Sequence, residues 1–161
     1  MKWVSHKRIT GATIYTFTGD VFATIASMAG SVIPDALEGM PDNTPNWHKY
    51  HRRITHWFVP YLSFAIILLI AAKARGISAI NTKNFVIALM HHTPTVMMYC
   101  ASFFLFGCSM HIFQDYFCGQ VPSLNPKHRM GRRLFYVGSQ TEYVITLSAV
   151  VFFVLIMLIR R

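Results

Sequence analysis

Residues 103–126 read FFLFGCSMHIFQDYFCGQVPSLNP, a long apolar run that ends in an ionisable pair and a proline-containing loop. His111 and Asp115 are four residues apart, so on a helix they share one face and can hold a single ion or proton network. Such a pair at the edge of the hydrocarbon region needs a partner, because burying an unpaired ionisable group away from water costs free energy. This stretch therefore predicts a membrane helix with a polar site at its end.

The composition of the whole chain indicates an integral membrane protein. Of its 161 residues, 53% are hydrophobic and 13% are charged, and the mean hydropathy is +0.39, which is a poor balance for a water-soluble globule. A spanning helix needs about 20 apolar residues. Four segments approach that length, at roughly 11–33, 55–72, 84–117 and 141–159. We expect one domain, residues 1–161, folded as an all-α membrane-embedded bundle with about four spans.

Two of the four segments contain breaks. Gly19 and Asp20 interrupt the first, which is either one bent helix or two short helices folded back as a hairpin. The third, residues 84–117, is too long for one crossing and is predicted to break near Pro94. A proline-rich loop joins the first two segments. We predict that this loop is structured and carries half of the site.

The formal charge of +9 raises the question of a nucleic-acid partner, which the pattern does not favour. The basic residues are spread over every loop and both tails, with no stripe interleaved with exposed aromatic residues. Attraction to anionic lipid headgroups is the simpler interpretation. The loops on the two sides of the membrane carry nearly equal numbers of Lys and Arg, so the orientation stays open. Cys100, Cys108 and Cys118 form no C-x-x-C motif and are predicted to be packing residues.

Residues of metal-ligand type gather near helix ends that this topology places on one side of the membrane. Five of them follow or precede predicted spans: Asp35, His51, His56, His111 and Asp115. Glu142, at the start of the last span, faces the same level. Imidazole nitrogen and carboxylate oxygen together suit a divalent ion, zinc above others, which activates bound water near neutral pH.

Several short motifs carry a resemblance to a known family. In order along the chain they are SHKRITG, GSVIPD, HRRITHW, GCSMHIFQDYFCGQVPSLNP and GSQTE. The sharpest element is H-x-x-x-D followed by G-x-V-P-x-L-x-P. With these motifs the sequence resembles the YdjM/YbcI-type membrane-bound metal-dependent hydrolases, a family that is distantly similar to zinc-dependent phospholipase C.

The resemblance implies a metal-dependent hydrolase in the bacterial inner membrane, acting on an ester or phosphoester of a lipid or lipid-linked substrate. The site residues that it implies are His51, His56, His111, Asp115 and Asp35, with His6 and Glu142 as outer candidates. We expect Asp35 or Asp115 to orient the attacking water and Arg52 to neutralise the developing charge. Glu142 is a candidate ligand or general base.

Two features of this sequence affect which residues can belong to the site. Leu37 stands where the family has a second aspartate, and Glu38 follows one position late. His6 is a ligand only if the first segment folds back on itself. In one continuous helix, the 29 steps from His6 to Asp35 cover about 43 Å at 1.5 Å per residue.

Two other functions are consistent with the sequence. A small ion or proton transporter or channel predicts polar residues distributed through the membrane depth, along a path formed by Asp20, His91, His92, His111 and Asp115. A noncatalytic interaction protein stabilised by metal predicts metal-dependent melting without turnover. The hydrolase instead predicts polar residues clustered at one level.

Overall fold

The computed structural model describes residues 1–39, 51–77 and 85–160. The chain is mostly helical, as predicted, and the described residues contain one small sheet, a two-stranded antiparallel pair. In chain order the elements are α1 (Trp3–Thr18), α2 (Val21–Gly30), α3 (Ile33–Glu38), a 3₁₀ turn (Ile54–His56), α4 (Phe58–Ala74), α5 (Phe85–Asp115), β1 (Val121–Pro122), β2 (Arg129–Met130) and α6 (Gln140–Ile159). Much of the loop between α3 and α4, including its prolines Pro41 and Pro45, lies outside the described residues.

The first predicted segment is a helical hairpin rather than one bent helix. Gly19 ends α1 in the left-handed conformation, with φ +63°, which glycine adopts without the penalty that a Cβ brings. Asp20 caps α2 by accepting hydrogen bonds from the backbone amides of Phe22 and Ala23, at 2.8 and 3.1 Å. The Tyr99 hydroxyl on α5 donates to the other Asp20 oxygen at 2.8 Å. The chain thus turns back, and α1 packs on α2.

The predicted break in the third segment lies at His92, two residues before Pro94. His92 has φ −135° and ψ 33°, outside the helical region, although the helix continues on both sides. Proline lacks the amide hydrogen for the carbonyl four residues earlier and crowds the turn before it, so a break in that turn is expected. The longer part of α5, from His92 to Asp115, then runs straight to the site.

The long helix α5 is the centre of the bundle, with α2 and α4 packed against it. Two glycines allow α2 and α5 to approach backbone to backbone. A Cβ at Gly30 would lie 1.8 Å from the Phe104 carbonyl oxygen, and one at Gly107 would lie 2.0 Å from the Ser27 carbonyl oxygen. Neither glycine can gain a side chain unless the helices separate. This contact sets the position of Ser31 relative to His111.

Within the described ranges, three helical stretches are long and apolar enough to cross a membrane, judged by length and composition alone: Val21–Glu38, His92–Asp115 and Gln140–Ile159. The predicted span at 55–72 corresponds to α4, an apolar helix of 17 residues that is shorter than these. The count of about four spans therefore stays a prediction. Most of α6 is exposed, including Leu147 and Phe152, as a lipid-facing helix would be.

Candidate metal centre

Four side chains from three separate segments bring one ligand atom each to a common point. The 3₁₀ turn supplies His56, α3 supplies Asp35, and α5 supplies His111 and Asp115. The Nε2 atoms of His56 and His111 are 3.3 Å apart, and each lies 3.3 Å from Asp35 Oδ1. Asp115 Oδ2 is 3.6 Å from His56 Nε2 and 3.8 Å from His111 Nε2. These four residues are the ligand cluster.

The dimensions of the ligand cluster fit a tetrahedral ion. Zinc binds nitrogen and oxygen ligands at about 2.0–2.1 Å, which places neighbouring ligands of a tetrahedron about 3.3 Å apart. Within the described part of the chain, Asp35 Oδ1 is buried with no hydrogen-bond partner, although two imidazole nitrogens face it. A buried carboxylate oxygen in this position is stabilised by a cation. Two nitrogens and two oxygens suit zinc or a similar divalent ion.

The far nitrogen of each cluster imidazole is held by an oxygen. His111 Nδ1 lies 2.7 Å from the Ser31 carbonyl oxygen, which can only accept, so Nδ1 donates and in the neutral ring the Nε2 lone pair points into the cluster. His56 Nδ1 lies 2.9 Å from Glu38 Oε1. Such outer partners fix the tautomer and orientation of metal-binding histidines and raise their basicity.

Glu38 is the residue that the sequence reasoning missed. Its carboxylate binds His51 Nδ1 at 2.6 Å, the Arg52 amide at 3.0 Å and the Thr55 hydroxyl, in addition to His56. Leu37 is exposed, and it stands where the family that the sequence resembles has a second aspartate. In this chain Glu38, the next residue, supplies a second carboxylate beside Asp35. A signal was present, because residues three apart on a helix share a face and Glu38 is three residues after Asp35.

The structure does not bring His51 into the ligand cluster. It lies with Glu38 and His56 in a second group of potential ligand atoms, on the outer side of His56. Its ring is about a fifth exposed, whereas His56 and His111 are fully buried. The expectation that His51 and His56 meet around one ion thus applies to this second group, with Glu38 as the shared carboxylate.

The helical hairpin brings His6 to the site. Its ring stacks on His111 with centroids 3.9 Å apart, and its Nε2 lies 3.3 Å from Asp115 Oδ1. Gln114 donates its amide to the Thr10 hydroxyl, so its oxygen accepts from His6 Nδ1 at 2.9 Å and leaves the Nε2 lone pair facing Asp115. Burial, followed by the neighbouring His111, lowers the pKa of His6 to about 4. His6 is therefore neutral and touches the ligand cluster from the side of Asp115.

His56 and Arg52 place positive charge at the site, as does the Met1 ammonium, 2.8 Å from Asp115 Oδ1. Burial on its own lowers the pKa of His56, but the neighbouring carboxylates of Asp115, Asp35 and Glu38 outweigh it and raise the pKa to about 10. The proton on His56 Nε2 then faces Asp35 and Asp115, where a metal ion would bind. Arg52 Nε lies 2.8 Å from Asp115 Oδ2.

Arg52 reaches this position through an uncommon backbone conformation. Its φ is +59°, in the left-handed region that a non-glycine residue rarely adopts. A Cβ at Gly119 would lie 1.8 Å from Arg52 Nη1, so the glycine leaves the space in which the guanidinium lies. Cys118, predicted to be a packing residue, is buried with its sulfur 3.3 Å from Asp115 Oδ1 and 3.4 Å from Arg52 Nη2. Residues with an uncommon backbone conformation, such as Arg52, cluster at functional sites.

Glu142 lies outside the ligand cluster. Its carboxylate accepts hydrogen bonds from the Lys2 amide at 2.8 Å, the Ser5 hydroxyl at 2.6 Å and the Gly138 amide at 2.6 Å. Both oxygens are therefore engaged in joining the start of α1 to the start of α6. The structure gives Glu142 an architectural position, which differs from the ligand or general-base role expected from the sequence.

A cavity of 800 Å³, the site cavity, opens beside the ligand cluster. Both carboxylate ligands, Asp35 and Asp115, line it. Three cationic side chains also line it, from three different segments: Lys2, Arg52 and Arg133. The ligand cluster thus faces a space large enough for a small-molecule ligand with a negative charge.

The comparisons with known proteins identify no relative that shares this fold or this centre. In comparisons with protein-family models, curated proteins and solved structures, no match to this chain was found.

Proposed function

We propose that the chain is a membrane-bound, zinc-dependent hydrolase that cleaves a phosphoester of a lipid or lipid-linked substrate at the membrane interface. The observation that carries the proposal is the ligand cluster, whose four atoms lie within 4.8 Å of one another beside the site cavity. The resemblance of H-x-x-x-D and the loop after it to membrane-bound metal-dependent hydrolases supports the same chemistry. The candidate spans support a membrane location.

The residues of the cluster divide the chemical tasks. His56, His111, Asp35 and Asp115 would hold the ion, which would activate a water bound in addition to these four ligands and polarise the phosphoryl group. Asp35 lines the site cavity, and its second oxygen, Oδ2, is directed away from the cluster and accepts a hydrogen bond from the Trp3 indole at 3.1 Å. It orients the attacking water. Glu38 keeps the His56 ring in the orientation that ligation needs.

The charge of the site cavity favours a phosphate-bearing substrate. A guanidinium presents paired N–H donors that match phosphate oxygens. Arg52 is held against Asp115 at the bottom of the site, while Arg133 belongs to the exposed segment before α6. Arg52 stabilises charge that develops at the reacting phosphorus, and Arg133 binds the charge already present in the substrate.

The distribution of polar residues favours this function over a transport path. Asp35, His56, His111 and Asp115 meet within one cluster at the end of α5. Asp20, which the transport hypothesis requires as part of a path, caps α2 at the hairpin turn and accepts from Tyr99. A cap at a turn has a structural explanation that needs no ion path.

The test is metal content and turnover of the tag-free protein in detergent and in vesicles. We expect about one zinc ion per chain and metal-dependent release of phosphate or a phosphorylated product in a phospholipid hydrolysis screen. His111→Ala should lose both zinc and turnover, whereas His128→Ala, which removes an exposed histidine of the β1–β2 loop, should keep both. Bound zinc without turnover on any ester or phosphoester would leave a metal-stabilised, noncatalytic protein. Turnover retained in His111→Ala would exclude this centre.

A further inference from the structure

A second cavity, of 470 Å³, lies between α1, α5 and α6 and is called the apolar cavity here. Its wall is built mainly of large aliphatic and aromatic side chains from the three helices and from the segment before α6. They include Ile9, Phe113, Phe135, Ile145 and Phe153. The proposed function does not use this cavity.

The polar side chains in its wall are already satisfied. The Thr13 hydroxyl donates to the Ile9 carbonyl within α1 at 2.8 Å. Gln114 donates to Thr10 and accepts from His6, so both ends of its amide are engaged away from the cavity. An occupant therefore meets an apolar surface. Water gains little there, because a buried water needs two to four polar partners.

The apolar cavity adjoins the site cavity. Met1 lines both of them. Along the segment before α6, Arg133 lines the site cavity while the next residue, Leu134, lines the apolar one. At the end of α5, Asp115 lines the site cavity and the preceding residue, Gln114, lines the apolar cavity. A ligand that bridges the two spaces is charged at one end and apolar at the other.

The apolar cavity also lies where a lipid chain can enter. It is flanked by two candidate spans, His92–Asp115 and Gln140–Ile159, with α1 packed on both. Among the described residues, direct packing of α5 on α6 is not extensive, so the two spans are separated at the cavity. A chain that moves there from the bilayer exchanges one apolar environment for another.

We propose that the apolar cavity holds one acyl chain of the substrate while its phosphoester lies in the site cavity, an assignment that rests on the proposed function. A methylene group is close to a water molecule in volume, so the cavity takes on the order of a dozen chain carbons. The enzyme thus acts on single lipid molecules held by one long chain. Selectivity for chain length follows from the limited volume of the cavity.

The test separates chain binding from hydrolysis. The probe is a phosphatidic acid with a diazirine at the end of one acyl chain, mixed into phosphatidylcholine vesicles that contain the zinc-loaded protein. Photolabelling should concentrate on peptides that carry the buried wall residues Ile9 and Phe135, above the level at the exposed Phe64 of α4. Ala149→Phe, which fills the cavity, should reduce the cavity labelling at least fivefold. Ser148→Phe adds the same ring on an exposed position of α6 and should not.

Turnover gives a second measurement. In the wild-type protein, kcat/KM should rise with acyl length and level off near a dozen carbons, and Ala149→Phe should flatten this dependence while binding zinc as the wild type does. Labelling of Phe64 equal to that of Ile9 and Phe135, or an unchanged chain-length dependence in Ala149→Phe, would overturn the assignment with the hydrolase intact. Cavity labelling without turnover on any substrate would instead count against the proposed function.

Discussion

The Nε2 atoms of His56 and His111 lie 3.3 Å apart, although 55 residues separate them along the chain. Each ring is anchored at its other nitrogen, His56 by Glu38 and His111 by the Ser31 carbonyl. Two imidazole nitrogens held this close together need a proton or a cation between them. In the metal-free protein the proton is on His56, whose pKa is raised to about 10.

We expect zinc binding to release this proton. Because ligation requires neutral imidazole, zinc must displace the proton that His56 carries at any pH well below 10. Calorimetry at pH 7.5 in two buffers of different ionisation enthalpy should give about one proton released per ion. Zinc affinity should tighten by about tenfold per pH unit up to the pKa of His56. Binding without proton release would contradict the raised pKa.

The same raised pKa predicts how the metal-free protein responds to pH. A histidine whose pKa rises on folding stabilises the folded state fully below its unfolded value of about 6.5. This contribution is lost as the pH rises through about 10. With a chelator present, the thermal midpoint should therefore fall between pH 7 and pH 10. Zinc-loaded protein should not show this fall, since the ion has replaced the proton, and equal slopes with and without zinc would refute the explanation.

Removing the Glu38 charge should weaken the metal centre without removing a ligand. Glu38→Gln replaces the carboxylate that orients His56, and loss of such an outer partner costs about 10- to 100-fold in metal affinity. Leu37→Ala is the matched control, because Leu37 is exposed on the same short helix. Zinc affinity measured by competition with a chelating dye should fall only in Glu38→Gln. An equal fall in Leu37→Ala would point to disruption of α3 in general.

Side-chain type and helix position were enough to predict most of the ligand cluster. His111 and Asp115 follow from their four-residue spacing, and Asp35 and His56 from their places at the ends of apolar segments. His6 could not be decided from sequence, because it reaches Asp115 only through the hairpin. The left-handed turn at the end of α1 is locally encoded, but the Tyr99 bond that secures it comes from 79 residues away.

Two carboxylates, Glu38 and Glu142, have positions that the sequence did not predict. The resemblance drew attention to position 37, whereas the geometry of a short helix places Glu38 on the face of Asp35. Glu142 stands at the predicted membrane level, yet its oxygens are taken by backbone and hydroxyl donors from α1. Depth in the membrane is readable from hydropathy, but the direction of a side chain depends on packing.

Close approach of α2 and α5 should be necessary for metal binding. Gly107→Ala places a methyl group against the Ser27 carbonyl, which must move, and such overpacking costs about 1–3 kcal/mol. Because Ser31 on the same stretch orients His111, zinc affinity should fall as well. Gly11→Ala is the control, since its methyl meets only the flexible end of the Met28 side chain. Chelator competition and thermal melts of both variants test this, and equal effects would refute the backbone-contact argument.

The hairpin that carries His6 should depend on the hydrogen bond between Tyr99 and Asp20. Both residues are buried, with exposed fractions of 1% and 3%, so Tyr99→Phe removes a donor from a carboxylate that water reaches poorly. Losing one partner of a buried charged hydrogen bond costs about 1–3 kcal/mol.

Tyr143→Phe is the matched control, because the Tyr143 hydroxyl meets Lys2 at an exposed position, where such contacts contribute little. Denaturant unfolding in detergent should separate the two variants, and since the turn is remote from the ligand cluster, the folded Tyr99→Phe protein should still bind zinc. Equal stability of both variants would show that the glycine turn and the α2 cap hold the hairpin without Tyr99.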